Sequence, residues 1–270
     1  YLRTHGVDDP VLLRRLQQFA PNSRMTFQDW WDLLEAIQQR LPGHLVGLEL
    51  GMSIRPAHLG ILGYLTLSCD TVAEALQRFE RYQRLLRDGD RAHPIPQGDQ
   101  VCMRWSSDFG PSTRLSDEVL VVGMLRFVRM MTGEEGLAPS RVRFNFPPPA
   151  DLSPYEQLFH CPVEFECPFT ELHFPLTYFA LPVTNSDPGL KNLLDRQAEA
   201  LLAALPNHED FQQSLQQAII KAIQNGEPTL EQVARTLALS PRTLHRRLAE
   251  KKLVFKELLQ QMRLQLARQY

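Results

Sequence analysis

Thr229-Leu-Glu-Gln-Val-Ala-Arg-Thr-Leu-Ala-Leu-Ser-Pro-Arg-Thr-Leu-His-Arg-Arg-Leu248 reads as two short helices joined by a tight turn. Thr229 and Gln232 make a capping-box pattern that opens the first helix. Leu230, Val233, Ala234 and Leu237 give that helix one apolar face. Ala234 is small, as a residue must be where a second helix crosses closely. A turn follows at Ala238-Leu239. Ser240 then caps the second helix, and Pro241 takes its first position, where a missing N–H costs nothing. Leu244 and Leu248 share a face and anchor the second helix to the first, while Arg242, His245, Arg246 and Arg247 point outward. This is a helix-turn-helix pattern with a cationic second helix. Such a helix fits the major groove of B-DNA, where an arginine bonds bidentately to guanine O6 and N7 and gains about 1–3 kcal/mol of base discrimination. A merely solvated cationic face would need the capped spacing, the small crossing residue and the local charge to coincide by chance.

The charge around this stretch supports a polyanionic partner. From Gly226 to Tyr270 there are nine Lys/Arg and four Asp/Glu, a net of +5; the preceding 225 residues hold 20 basic and 27 acidic side chains, a net of −7. A basic tail on an acidic body places the contact with double-stranded DNA in the tail. A chain of 270 residues, 43% hydrophobic and 22% charged, fits one large or two ordinary globular domains. No apolar run approaches the roughly 20 residues of a membrane span. Arg3, His5, Asp8 and Asp9 break up any signal-peptide pattern. Four cysteines (Cys69, Cys102, Cys161 and Cys167) without a Cys-x-x-Cys pair suggest reduced thiols and a cytoplasmic protein with no membrane contact. The first residue is Tyr1 rather than Met, which suggests a trimmed N-terminus.

The first 90 residues have helical periodicity. Thr26 and Asp29 suit a capped helix carrying Phe27, Trp30, Trp31, Leu34, Ile37 and Leu41; a second follows Asp70-Thr71 with Val72, Ala75, Leu76, Phe79, Tyr82 and Leu86 on one face, stopped at Asp88-Gly89. The period then changes to two. Val101, Met103 and Trp105, then Val142, Phe144 and Phe146, then Val163, Phe165 and Cys167, then Leu172 and Phe174 alternate with polar neighbours and predict half-buried strands. A helix capped at Ser116 and stopped at Gly133 lies between the first two. The order favours an α+β N-terminal domain followed by an all-α helix-turn-helix domain. Leu190, Leu193, Leu194, Ala198, Leu201, Leu202 and Leu205 form a leucine-rich stripe, broken at Pro206-Asn207; a further helix carries Phe211, Leu215, Ala218, Ile219 and Ala222 and ends at Asn225-Gly226. The expected division is an effector-binding and dimerisation domain over 1–183, a linker helix over 184–206 and a DNA-binding region over 207–270.

The run from Glu227 to Tyr270 resembles the first half of the DNA-binding domain of the AraC/XylS family. The matching residues are 240–248, Phe255, Leu258-Leu259, Arg263 and Ala267. Upstream, Gly47-Leu-Glu-Leu-Gly51, Leu59-Gly-Ile-Leu-Gly-Tyr64, Tyr82-Gln-Arg-Leu-Leu86 and Pro154-Tyr155 through Cys161-Pro162-Val163 resemble the arabinose-binding-type domain of some AraC-like regulators. Family members usually carry two helix-turn-helix motifs joined by a long helix. Phe255, Leu258, Leu259, Met262 and Leu266 look like that helix, so the resemblance leads one to expect a fragment ending after the first motif. It implies base contacts from Arg242, His245 and Arg246; Arg247 and Lys251 suit phosphate contacts, which add affinity without sequence information. The reading is a one-component, ligand-responsive transcription regulator, a homodimer that acts as an activator by placing RNA polymerase. A DNA-binding protein with a purely dimerising N-terminal domain is the alternative, and an enzyme fused to a DNA-binding module the third.

No nucleophile elbow, Walker loop or dinucleotide fingerprint is present, so no catalytic residue and no cofactor is assigned. Glu134-Glu135 follow a helix stop and read as a solvated loop. His160, Cys161, Cys167 and His173 fall within 14 residues, but their spacing is unlike a zinc finger and no metal is expected. A ligand pocket needs a few polar groups among apolar walls. Arg55, Tyr64, Tyr82, Arg104 and Trp105 are the candidates for a small-molecule effector. The leucine stripe either docks on the N-terminal domain or pairs with a second copy.

Overall fold

The computed structural model describes residues 1–19, 27–86, 92–105, 112–204, 215–216, 218–223, 226, 228–237, 240–251 and 253–267. The chain separates into two compact units, Tyr1–Ala204 and Leu205–Tyr270. Thr26, Asp88-Gly89, Leu205-Pro206-Asn207, Phe211, Asn225 and Ala238-Leu239, all used in the sequence reading, lie outside the described residues. No helix among the described residues is long and apolar enough to cross a membrane.

The first unit mixes helices with one sheet. Its helices are α1 (Pro10–Gln17), α2 (Phe27–Arg40), α3 (Val46–Met52), α4 (Gly60–Leu67), α5 (Val72–Tyr82), α6 (Arg114–Thr132), α7 (Ser153–Phe159) and α8 (Pro188–Ala204). The strands are β1 (Ala92–Gln97), β2 (Gln100–Trp105), β3 (Arg141–Arg143), β4 (Val163–Glu164) and β5 (Thr170–Pro175), in the order β1-β2-β5-β3-β4. All neighbours are antiparallel except β3 and β4.

Helix α6 runs through the middle of this unit, with Val121, Val122, Leu125, Phe127, Val128 and Met131 buried. Its cap is Thr113, whose hydroxyl accepts the Ser116 N–H, rather than Ser116 itself. The Ser116 hydroxyl instead accepts a hydrogen bond from Trp30 Nε1 at 3.2 Å, tying α2 to α6. Gly133 ends the helix in the left-handed conformation (φ 73°), which glycine adopts without steric cost. Helix α3 lies close against α6 because Gly47 and Gly51, one turn apart, expose bare backbone. A Cβ on Gly51 would come within 2.6 Å of the Val122 Cβ, and one on Gly47 within 2.2 Å of Glu118 Oε2.

The sheet departs from simple alternation. One face carries Val101, Met103, Trp105, Val142, Leu172 and Phe174 into the core, as the pattern predicts. The opposite face is not solvated throughout: Cys102, Glu171 and His173 are buried as well. Long neighbouring side chains cover it. Arg104 Nε donates to Glu171 at 2.7 Å, Arg143 at 3.2 Å, and the Arg104 guanidinium sits 4.7 Å from the Phe169 ring centroid. The predicted strands over 142–146 and 163–167 are shorter than expected. Glu166 has φ 54°, which breaks the extended run, yet Phe144 and Phe146 still reach the core, with Phe165 packed against it. Strand β1 had no alternation to betray it, since Pro94 and Pro96 interrupt it; proline is tolerated because β1 is an edge strand with one side unpaired.

Candidate DNA-reading surface and effector cavity

In the second unit, residues 218–223 are helical, followed by α9 (Leu230–Thr236), α10 (Pro241–Glu250) and α11 (Phe255–Ala267). The Thr229 hydroxyl accepts the Gln232 N–H at 3.2 Å and opens α9. Val233 and Ala234 are fully buried, and Leu244 and Leu248 of α10 are buried in the same core with Leu215, Ile219 and Met262. Phe255, Leu258 and Leu259 pack around it from α11; the side chain of Leu266 lies outside the described residues. The small Ala234 sits in this core, beside the α9–α10 contact.

The anchoring decides what α10 presents. With Leu244 and Leu248 turned inward, Arg242, His245, Arg246 and Arg247 are all exposed, and Lys251 just beyond is half-buried. Arg242, His245 and Arg246 fall at i, i+3 and i+4, so they share one face of the helix. The outward placement that the leucine spacing predicts for Arg242, His245, Arg246 and Arg247 is the placement observed.

The first unit contains a cavity between α5, α6 and the sheet, holding about 490 Å³ of empty space when its mouth is counted. Its walls come from Val72, Ala75, Leu76 and Phe79 of α5, from Met124, Phe127, Val128 and Met131 of α6, from Met103 and Phe174 of the sheet, and from Thr66, Tyr178 and Phe179. None of the five residues nominated for an effector lines it. Arg55 and Tyr64 are exposed at the surface. Arg104 is committed to Glu171 on the other face of the sheet. Trp105 belongs to the core, its indole Nε1 buried without a hydrogen-bond partner among the described residues. Tyr82 packs with Leu62, Leu65 and Ala198, and its hydroxyl donates to Glu199 at 3.1 Å. Burial and the Asp195 and Glu199 carboxylates push the Tyr82 phenol up to about 12, so it stays a donor. The walls carry no signal of their own in sequence, because apolar lining and apolar core follow the same pattern.

The leucine stripe of α8 divides by face. Leu194, Ala198 and Leu202 pack onto the α4–α5 side of the first unit, and an ionic lattice reinforces them. Lys191 Nζ lies 2.9 Å from Asp70 and 3.0 Å from Glu74; Arg78 reaches Asp195 at 3.1 Å, and Arg81 reaches Glu199 at 2.6 Å. Leu190, Leu193 and Leu201 remain 41%, 56% and 44% exposed.

The Glu171 cluster is the other concentrated charge. Burial raises its carboxyl pKa, but hydrogen bonds from His173, Arg104 and Arg143 outweigh it, and the group lies below the usual glutamate value. His160, Cys161, Cys167 and His173 do not form one ligand group among the described residues. The soft or acidic groups that do converge are Cys102, Glu171 and His173, and separately His5, His44 and Glu49. In the first, two arginines already occupy the carboxylate, and they would repel a dication.

Two comparisons decide the affiliation. Residues 12–183 match the arabinose-binding domain found at the N-terminus of AraC transcription regulators. Over 253 residues the chain is 30% identical to the ornithine utilization regulator of Pseudomonas aeruginosa, covering 93% of this chain and 74% of that protein. The chain belongs to the AraC family of transcription regulators. The crystal structure of the transcriptional regulator CdpR from Pseudomonas aeruginosa superposes with a TM-score of 0.48 at 23% identity, over 92% of this chain and 87% of that one. This AraC-family protein is a regulator rather than an enzyme, as its family and its relative are. The matched residues 12–183 lie within its first unit, and Gly47 and Gly51 among them are the residues that seat α3 on α6.

Proposed function

We propose that this regulator binds specific duplex DNA through α10 and that a small molecule in its first unit controls that binding. The exposed cationic face of α10, set out by the buried Leu244 and Leu248, carries the reading. Arg242, His245 and Arg246 read base edges in the major groove. Arg247 and Lys251 hold phosphates and fix register. The effector occupies the α5–α6 cavity rather than the surface around Arg55 and Tyr64. Residues 1–183 form the effector and dimerisation domain, 184–206 the linker helix and 207–270 the DNA-reading part. Two copies pair through Leu190, Leu193 and Leu201 of α8, whose docked face leaves these leucines outward. The paired form places RNA polymerase and activates transcription.

The test is selection of bound duplexes from a random library by the full chain, followed by titration at one fixed salt concentration. An enriched motif is expected, with a preference that Arg246→Ala relaxes at one base position. Equal binding to all duplexes, or wild-type preference in the Arg246→Ala protein, overturns the reading. Light scattering at tens of micromolar checks the dimer, which Leu193→Glu should convert to monomer.

A further inference from the structure

Building on the regulator reading above, we infer that the cavity takes a small, uncharged, apolar molecule, and that α5 carries its occupancy to α8. The lining side chains include no charged group. The Thr66 hydroxyl proton is already donated to the Leu62 and Gly63 carbonyls, at 2.8 and 3.2 Å, which leaves it only as an acceptor. Tyr178 brings the only other polar hydrogen-bonding group among the lining side chains. A sugar placed here would bury most of its hydroxyls without partners, at about 1–3 kcal/mol each. A diamino acid would bury three charges with no counter-charge, which costs more still. The family's label and the relative's ornithine connection therefore do not carry over to this cavity's chemistry.

Size points the same way. The centre of a water-sized molecule has about 40 Å³ to move in, so a ligand of several carbons must push the walls apart. Met103, Met124 and Met131 can yield, because methionine is unbranched and flexible.

The α5 wall, which a ligand pressing on the facing methionines also presses, has a second partner. Val72, Ala75, Leu76 and Phe79 line the cavity from α5, while Glu74, Arg78, Arg81 and Tyr82 of the same helix hold α8 through Lys191, Asp195 and Glu199. Phe79 belongs to both environments, touching the cavity and the cluster of Leu62, Leu65, Tyr82 and Ala198. A displacement of α5 by a ligand is thus felt at α8, the helix that carries the outward leucines and ends the first unit.

The experiment uses the full chain, with indole and cyclohexanol as apolar probes and L-arabinose and L-ornithine as polar ones. Calorimetry gives binding, and titration of the selected duplex gives the effect on DNA affinity. Saturable binding of an apolar probe is expected, with none of either polar one. Ala75→Leu should weaken the probe roughly tenfold or more by filling the space. Met124→Phe, on the facing wall, is the second filler should the first fail to fold. Arg78→Gln should keep probe affinity within about twofold, since it lies outside the cavity, yet lose the probe's effect on DNA binding. Binding of arabinose or ornithine alone, or probe binding that neither filler weakens, overturns the ligand class. A full probe effect on DNA in Arg78→Gln overturns the relay. Selective DNA binding with no apolar probe bound sinks this inference alone; probe binding without any DNA preference sinks the regulator reading alone.

Discussion

The second unit, which carries α10, and the first, which carries the cavity, are each held together over different distances along the chain. In the former, the core that sets α10 is built largely from near neighbours in sequence: Val233 and Ala234 are buried with Leu244 and Leu248, and Leu215, Ile219 and Met262 close the same core from the flanking helices. In the latter, the decisive contacts join remote segments. Trp30 meets Ser116, Arg78 meets Asp195, and Tyr155 donates to the buried Glu118 carboxylate. The difference has a functional side. A surface made by one local motif can be read and altered residue by residue, whereas a cavity made by many elements changes whenever any of them moves.

The sharpest break in this comparison is Leu244→Ala. It removes a fully buried anchor, should cost the second unit about 2–5 kcal/mol and should abolish DNA binding. Calorimetric binding of an apolar probe to the first unit should survive it, because the two units have separate cores. Gly51→Val does the converse. Its side chain would collide with Val122, and a loss of about 1–3 kcal/mol or more is expected in thermal unfolding of the first unit. Arg246→Ala should leave thermal stability unchanged and lower discrimination at one base position by about 1–3 kcal/mol in competition titrations.

Acid separates the units further. The native Glu171 carboxyl lies below its ordinary value, so it holds fewer protons folded than unfolded. Its stabilisation is present above the unfolded glutamate value and is lost as pH falls through the lower native one. Unfolding followed from pH 6 to pH 2 should therefore show an acid-labile first unit, and Glu171→Gln should flatten that dependence. The smallest expected effect belongs to Arg247→Ala, which should weaken all duplexes alike and reduce the slope of log affinity against log salt by about 1.

The α9–α10 pair is legible in the sequence, and for a reason. Caps, a proline at a helix start, a small crossing residue and leucines one turn apart are all local signals, and the charge of a surface helix can be counted directly. The α+β character was legible from the change of period in the middle of the chain. Strand burial was not, because whether Glu171 faces water depends on Arg104 and Arg143 arriving from other strands. The sequence does not distinguish Thr113 from Ser116 as the cap of α6, because both offer the same chemistry and the partner of Ser116 is Trp30, 86 positions away.

Side-chain order along the chain thus accounts for the exposed cationic helix, since the spacing of Leu244 and Leu248 within α10 fixes which face turns inward and leaves Arg242 and Arg246 on the other. Assembly accounts for the cavity. Phe79 is an ordinary helix-face residue until α6, the sheet and α8 close around it, and no pattern within α5 distinguishes a wall of empty space from a wall of packed core.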